Sequence, residues 1–389
     1  MRSTPIPTLP EPDAAGRDHS ARVVSAVRVE VERSGGWISF ARYMQHVLYA
    51  PGLGYYVAGA RKFGADGDFT TAPEITPLFA QALAAQVAPI LSATATREIV
   101  EFGAGSGALA ADLLHALAQL GALPSRYAIL DISPDLRERQ RATIARRAAD
   151  HASRVEWLDA LPASIDGAVL MNEVLDAIPP RVISRRGGEW FERGVACADT
   201  LHWEDQPLAD EALRAAAVER FPATGDFVSE INSAAEALVE DVGQRMTAGA
   251  LLVIDYGFPQ AEFYHAQRSE GTLMGHYRHR AHANPFLWPG LSDLTAHVDF
   301  TAVALAGERA GLQVAGYAPQ AAFLLGCGIL DRLRESGDPT SVEYLREAAA
   351  VQKLTSPAEM GELFKVLGLA KSENIAWPGF AVADRSHRL

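Results

Sequence analysis

The residues most able to do chemistry begin at Glu101-Phe102-Gly103-Ala104-Gly105-Ser106-Gly107. Alternate glycines at the end of an apolar run let the backbone turn sharply and approach a ligand closely, which side chains would prevent. The spacing alone is shared between two chemistries. Gly103-x-Gly105-x-x-Ala108 also satisfies the loose dinucleotide fingerprint, in which a helix N-terminus meets a pyrophosphate. Glu101 separates them: a carboxylate ahead of the bend accepts hydrogen bonds from an ammonium-bearing ligand, and a sulfonium amino acid is a cation of that kind. Beside a pyrophosphate the same charge is repulsive. Glu101, Gly103, Ala104, Gly105 and Gly107 are therefore expected to hold a cationic cofactor; the alternative is a structural turn with a solvated glutamate.

Further acids stand at the ends of apolar runs. Asp131 is followed by Ile132-Ser133-Pro134, where Ser133 and Pro134 already supply a helix N-cap and first-turn residue. Asp131 is thus spared for both hydroxyls of an adenosine ribose. Asp159 either accepts from an adenine amino group or lies in a surface turn. Asn172 and Glu173, in Met171-Asn172-Glu173-Val174-Leu175-Asp176, end a fourth run, and ligands of open α/β sheets bind beyond such carboxyl ends. Glu173 can fix a guanidinium by paired hydrogen bonds, with Asp176 as a second acceptor; the alternative is that Asn172 and Asp176 cap the next helix. The stretch from Gly64 to Glu74, with Thr71 and Glu74, reads as a hydrogen-bonding loop that can line the site. His276, His279 and His282 invite a metal reading, but no cysteine or tight carboxylate pair completes a ligand set and interleaved arginines repel a cation, so no metal is expected. His297 is either a proton acceptor or a satisfied interior histidine.

The elements that must position these residues alternate between short apolar runs and amphipathic stretches. Strands are predicted over 97–102, 127–131, 155–158, 168–172, 251–256, 312–317 and 363–369, with helices after Gly107 and Pro134 and over 231–246 and 300–309. That rhythm is one of βαβ units, giving a parallel sheet with helices on its faces in a Rossmann-like seven-stranded α/β fold. Residues 21–49 have a helical pattern, 75–91 return to helix, and runs at 181–183 and 190–197 flank Gly187-Gly188 as a hairpin insertion. The division that follows is a flexible tail over 1–20, a helical arm and active-site loop over 21–94, and a sheet domain over 95–389, with helical and hairpin insertions near 181–230, 262–298 and 321–358.

Composition narrows the possibilities. Lys plus Arg number 35 against 48 Asp plus Glu in 389 residues, and the net charge of -13 repels nucleic-acid backbones. Cys197 and Cys327 stand far apart with no ligand spacing, which excludes a disulfide framework or structural zinc site and fits a reducing compartment. No apolar run reaches membrane-span length and no signal-peptide pattern is present, so a cytoplasmic location is expected.

Taken together, EFGAGSGALAADLL at 101–114, NEVLDAIPP at 172–180, GDFTTAPEIT at 67–76, LVIDYGF at 252–258, GTLMGHYRHRAHANPF at 271–286 and LTAHVDFTAVA at 294–304 resemble the MidA family, from about Gly36 to MGELFKVLGLA at 360–370. The resemblance implies a class I methyltransferase using S-adenosyl-L-methionine. By position it assigns Glu101, Gly103, Gly105 and Gly107 to the cofactor loop, Asp131 to the ribose, and Asn172-Glu173 to the site after the fourth strand. The mitochondrial branch is described as methylating an arginine of a respiratory complex I subunit, which implies a protein acceptor. Ala104 and Ser106 stand where eukaryotic members commonly have Pro and Arg, so the chain resembles the bacterial branch. Two readings of other classes stay open: an assembly chaperone that binds the cofactor but acts by holding a partner subunit, and a nicotinamide-dependent oxidoreductase.

Overall fold

The apolar runs pair into one sheet because each is flanked by helices able to cover both of its faces. In the computed structural model, which describes residues 9–58 and 71–389, the runs become β1 (Glu98–Phe102), β2 (Arg126–Leu130), β3 (Val155–Leu158), β4 (Ile165–Asn172), β5 (Met246–Phe258), β6 (Gln313–Pro319) and β7 (Phe364–Ala370). Their order is β6-β7-β5-β4-β1-β2-β3. All run parallel except β7, which is antiparallel to both β5 and β6. An eighth short strand, Val298–Asp299, pairs in parallel with the end of β5 at Gly257 and Phe258. The predicted seven-stranded sheet is therefore present, with one small addition, and it departs from the expected parallel sheet at β7.

Burial on both sides explains why the central strands lack a polar face, whereas the edge strand β3 exposes Glu156. One face packs on helices Pro77–Ser92 and Ala108–Gln119 through Leu83, Val87, Leu113, Ile99 and Ile129. The other packs on helices Ser233–Arg245 and Phe300–Arg309 through Val239, Val303, Val100 and Val253. Each fully buried aliphatic side chain of this kind stabilises the fold by about 1.5–3 kcal/mol. Strand order reverses between β1 and β4, which are hydrogen-bonded neighbours that lead to opposite halves of the sheet. The crevice beyond their carboxyl ends is where such sheets bind ligands.

This sheet belongs to a compact unit of Thr71–Ile178, Asn232–Arg268 and His297–Leu389. A second unit comprises the described part of Met1–Thr70 together with Pro179–Ile231 and Ser269–Ala296. There the helix Ala14–Arg33 starts within the stretch expected to be a flexible tail, because the Asp13 carboxylate caps it by accepting from Gly16 N at 2.7 Å and Val23, Val27 and Val31 bury one stripe. The helical pattern read over 21–49 is also interrupted. The chain breaks at Gly35-Gly36, and Trp37–Ser39 forms a strand against Glu189–Cys197 before the helix Phe40–Tyr49. The predicted hairpin forms from Arg181–Arg186 and Glu189–Cys197 and joins Phe227–Ile231, Leu201–Pro207 and Trp37–Ser39 in a five-stranded sheet. Residues 64–70 of the predicted loop, and 1–8 of the predicted tail, lie outside the described residues. Among the described residues, no helix is long and apolar enough to cross a membrane.

Candidate functional site

β1 delivers Phe102 beside Met171 of β4, and the chain then bends through the glycines into the helix Ala108–Gln119. Gly103, Gly105 and Gly107 all take positive φ, at 59°, 53° and 83°. An L side chain in that region costs about 1–2 kcal/mol per residue, which accounts for glycine at each. At Gly107 space adds a second demand, since a Cβ would stand 3.0 Å from the Gln140 Cα. Gly103 N donates to Leu130 O at 3.0 Å and Gly107 N to the carbonyl of buried Ala104 at 2.8 Å, so the bend is fixed to the end of β2.

The predicted acids around the bend are placed differently from one another. Glu101 is buried, accepts from Tyr127 Oη at 2.8 Å, and is pushed up to about 7 by burial, which outweighs the Tyr127 hydrogen bond. Asp131 is also buried; its Oδ1 accepts from Ser133 N at 2.9 Å and its Oδ2 from Gln140 Nε2 at 2.7 Å, and burial raises its pKa. Asp159 is not brought to them. Its side chain is 92% exposed and paired with Arg137 at 2.6 Å, while the same guanidinium donates to Asp131 O and Leu158 O, an arrangement that ties β2 to β3.

Residues 71–75 run beside both halves of the site. Thr71 precedes the short helix Ala72–Ile75 without a side-chain capping bond, and Glu74 accepts from the Ser106 hydroxyl of the glycine bend. The N–H of Ala72 donates to Glu173, whose own N–H donates to Ile254 O of β5 at 2.8 Å. Glu173 holds φ at 53° although it is not glycine. Such strain persists only where surroundings over-determine it, and it concentrates at functional sites.

Beyond β4 and β5 three carboxylates converge. Asp255, fully buried, accepts from Leu175 N at 3.0 Å, Asp176 N at 3.3 Å and Tyr256 N at 2.9 Å. Asp176 accepts from Tyr256 Oη at 2.6 Å, and Asn172 Nδ2 donates to Glu173 Oε1 at 3.3 Å. Burial, followed by the charge of Asp176, pushes Glu173 up to about 8; burial likewise raises Asp176, and burial plus its acidic neighbours raise Asp255 well above the usual range. His297 lies edge-on to Tyr256 and Phe258, with ring centroids 5.3 and 5.2 Å away. The structure thus gathers Asn172, Glu173, Asp176 and His297 around Tyr256 and Asp255.

This donor and acceptor set fits an adenosine-bearing sulfonium ligand. Asn172 Oδ1 and Asp176 Oδ1 are buried without a hydrogen-bond partner. An acceptor left so costs about 1–3 kcal/mol, a cost that a ligand bringing N–H donors removes. Asp131 keeps one lone pair on each oxygen beyond its two bonds, enough for a ribose diol. Asp255, Tyr256, Ser106 and Gln140 were assigned no role from the sequence. Asp255 and Tyr256 carried a visible signal, since an acid and a hydroxyl end an otherwise apolar strand, but their partner Asp176 is about 80 positions away.

Comparison with known proteins agrees with this geometry. Residues 82–318 match the model of a family of S-adenosyl-L-methionine-dependent methyltransferases. The mouse mitochondrial protein arginine methyltransferase NDUFAF7 is 29% identical over 382 residues, covering 88% of this chain and 83% of its own length. Its human counterpart is 29% identical over 380 residues, covering 88% and 82%. A Burkholderia thailandensis protein solved with S-adenosyl-homocysteine bound is 49% identical, with a TM-score of 0.93 over 98% of this chain and 100% of that one. These matches set aside the nicotinamide alternative that the glycine spacing had left open.

Proposed function

The chain belongs to the MidA family of S-adenosyl-L-methionine-dependent methyltransferases, and on that premise we propose that it methylates a guanidinium nitrogen of a protein arginine. The observation that carries the choice of acceptor is the cluster of Glu173, Asp176 and Asp255 with the unpartnered oxygens of Asn172 and Asp176. Carboxylates crowded in a poorly solvated place resist ionising together. A guanidinium answers both needs, because it is a permanent cation whose N–H donors form a rigid fork. The names of the mouse and human relatives, both protein arginine methyltransferases, point the same way.

When bound, S-adenosyl-L-methionine supplies an electrophilic sulfonium methyl group. The protein's part is to hold, orient and receive. The glycine bend and Asp131 seat the adenosine end, with Glu101 ahead of the bend at the end of β1; Glu74 braces the bend by accepting from the Ser106 hydroxyl. Glu173 takes the guanidinium by paired hydrogen bonds, its φ and its bond to Ala72 N fixing the carboxylate's direction. The arriving cation favours the ionised form of Glu173, so binding releases a proton. Asn172 and Asp176 accept from the remaining N–H groups. Asp176, which accepts from Tyr256, or His297, edge-on to Tyr256, takes up the proton lost from the methylated nitrogen in this reading.

Purified protein, a cell extract and isotopically labelled S-adenosyl-L-methionine provide the test. The expected product is a protein carrying labelled methylarginine, and the first acceptor to examine is a respiratory complex I subunit, as the family resemblance implies. Label confined to a small molecule, or to a side chain other than arginine, refutes the proposal.

A further inference from the structure

The helix Pro134–Arg147 buries an amide where its spacing calls for an apolar residue. Gln140 stands on the stripe between Leu136 and Ile144 and is 0% exposed. A primary amide in such a place is costly unless it is satisfied, and Gln140 finds partners on three separate elements. Its Nε2 donates to Asp131 Oδ2 at 2.7 Å and to Gly105 O at 3.2 Å, and its Oε1 accepts from Trp157 Nε1 of β3 at 2.8 Å.

The chemistry of those partners fixes which way the amide faces. An indole N–H only donates, while a carboxylate and a carbonyl only accept, so the oxygen must face Trp157 and the NH2 must face Asp131 and Gly105. Arg141 lies over the Trp157 ring with its guanidinium carbon 4.5 Å from the centroid, which holds the indole in turn. With Oδ2 pinned by Gln140 and Oδ1 by Ser133 N, the Asp131 carboxylate has one orientation and one spare lone pair on each oxygen.

We propose that Gln140 is a positioning residue for the cofactor's ribose, aligning the Asp131 carboxylate with the glycine bend so that two vicinal hydroxyls are bound together. This rests on the identity of the methyl donor and not on the arginine acceptor. The test is calorimetric binding of S-adenosyl-L-homocysteine and of its 2′,3′-dideoxyribose analogue. Wild-type protein should favour the hydroxylated ligand. Gln140→Leu should weaken that ligand about tenfold, the equivalent of one hydrogen bond to a charged group, and leave the dideoxy analogue nearly unchanged. In an Asp131→Asn background the same substitution should have almost no effect on either ligand. A role confined to packing would weaken both ligands by one factor, and an unchanged ratio overturns the proposal. If Gln140→Leu does not fold, Trp157→Phe removes the group that orients the amide and should lower the ratio by a smaller factor; an unchanged ratio there overturns the proposal equally. Failure of wild-type protein to bind S-adenosyl-L-homocysteine would instead overturn the cofactor premise itself.

Discussion

Exchanging Glu173 for Gln should stabilise the ligand-free protein while stopping methyl transfer, and the stabilisation should grow with pH. Burial, and then the neighbouring Asp176, carry the Glu173 carboxyl from its ordinary value of 4.5 up to about 8. A value raised on folding means that the folded state binds its proton more tightly than the unfolded chain does. The contribution to stability is complete below 4.5 and is lost as pH climbs to about 8. For a fully buried group a shift of that size corresponds to about 5 kcal/mol. Glu173 is only partly buried, and solvent screening reduces the figure to about 1–3 kcal/mol. Gln has nearly the same shape and keeps an oxygen for the Ala72 N–H, so it removes the charge with little else. Urea unfolding of wild type and Glu173→Gln near pH 4.5 and near pH 9 measures the difference directly. The two proteins should be almost equally stable at the lower pH, and the variant should lead by about 1–3 kcal/mol at the higher one. A gap that does not change with pH, or a variant less stable at pH near 9, refutes the reasoning that places this carboxylate in an ion-poor cluster awaiting a cation.

Gly107→Ala puts a methyl group at φ 83° and 3.0 Å from the Gln140 Cα; it should lower S-adenosyl-L-homocysteine affinity at least about tenfold by calorimetry, combining backbone strain of about 1–2 kcal/mol with displacement of the bend. Tyr256→Phe deletes the 2.6 Å donor that holds down the Asp176 pKa, so the acidic limb of the kcat/KM profile should move to higher pH by on the order of one unit, and an unmoved limb would exclude Asp176 from the protonation events that limit turnover. Asp159→Asn alters a side chain that is 92% exposed, so cofactor affinity should change by less than about twofold, as expected for a surface ion pair; a larger loss measured in the same titration would show that Asp159 reaches the adenine.

The site was legible in unequal parts. The placement of the glycine bend, Asp131 and the Asn172-Glu173 pair at strand ends could be read directly, and strand ends in an α/β chain converge on one edge of the sheet. Asp255 could not be given a role in that way. Its function in holding the Leu175 and Asp176 N–H groups exists only because β5 lies next to β4, which brings residues about 80 positions apart into hydrogen-bond range. Gln140 looked like one more polar residue on a highly charged helix until the fold turned it inward. Asp159 and Asp131 follow neighbouring strands in the same manner, yet Arg137 draws one into a solvent-exposed ion pair while burial encloses the other.

The sequence by itself thus determined the type of most elements of the sheet, since hydrophobic period and glycine placement act over a few residues; strand order and the antiparallel course of β7 came from the tertiary structure. The tertiary structure alone decided which acids come together beyond β4 and β5 and which face water. That outcome depends on desolvation and on partners from distant strands, and neither quantity exists until the sheet has closed around them.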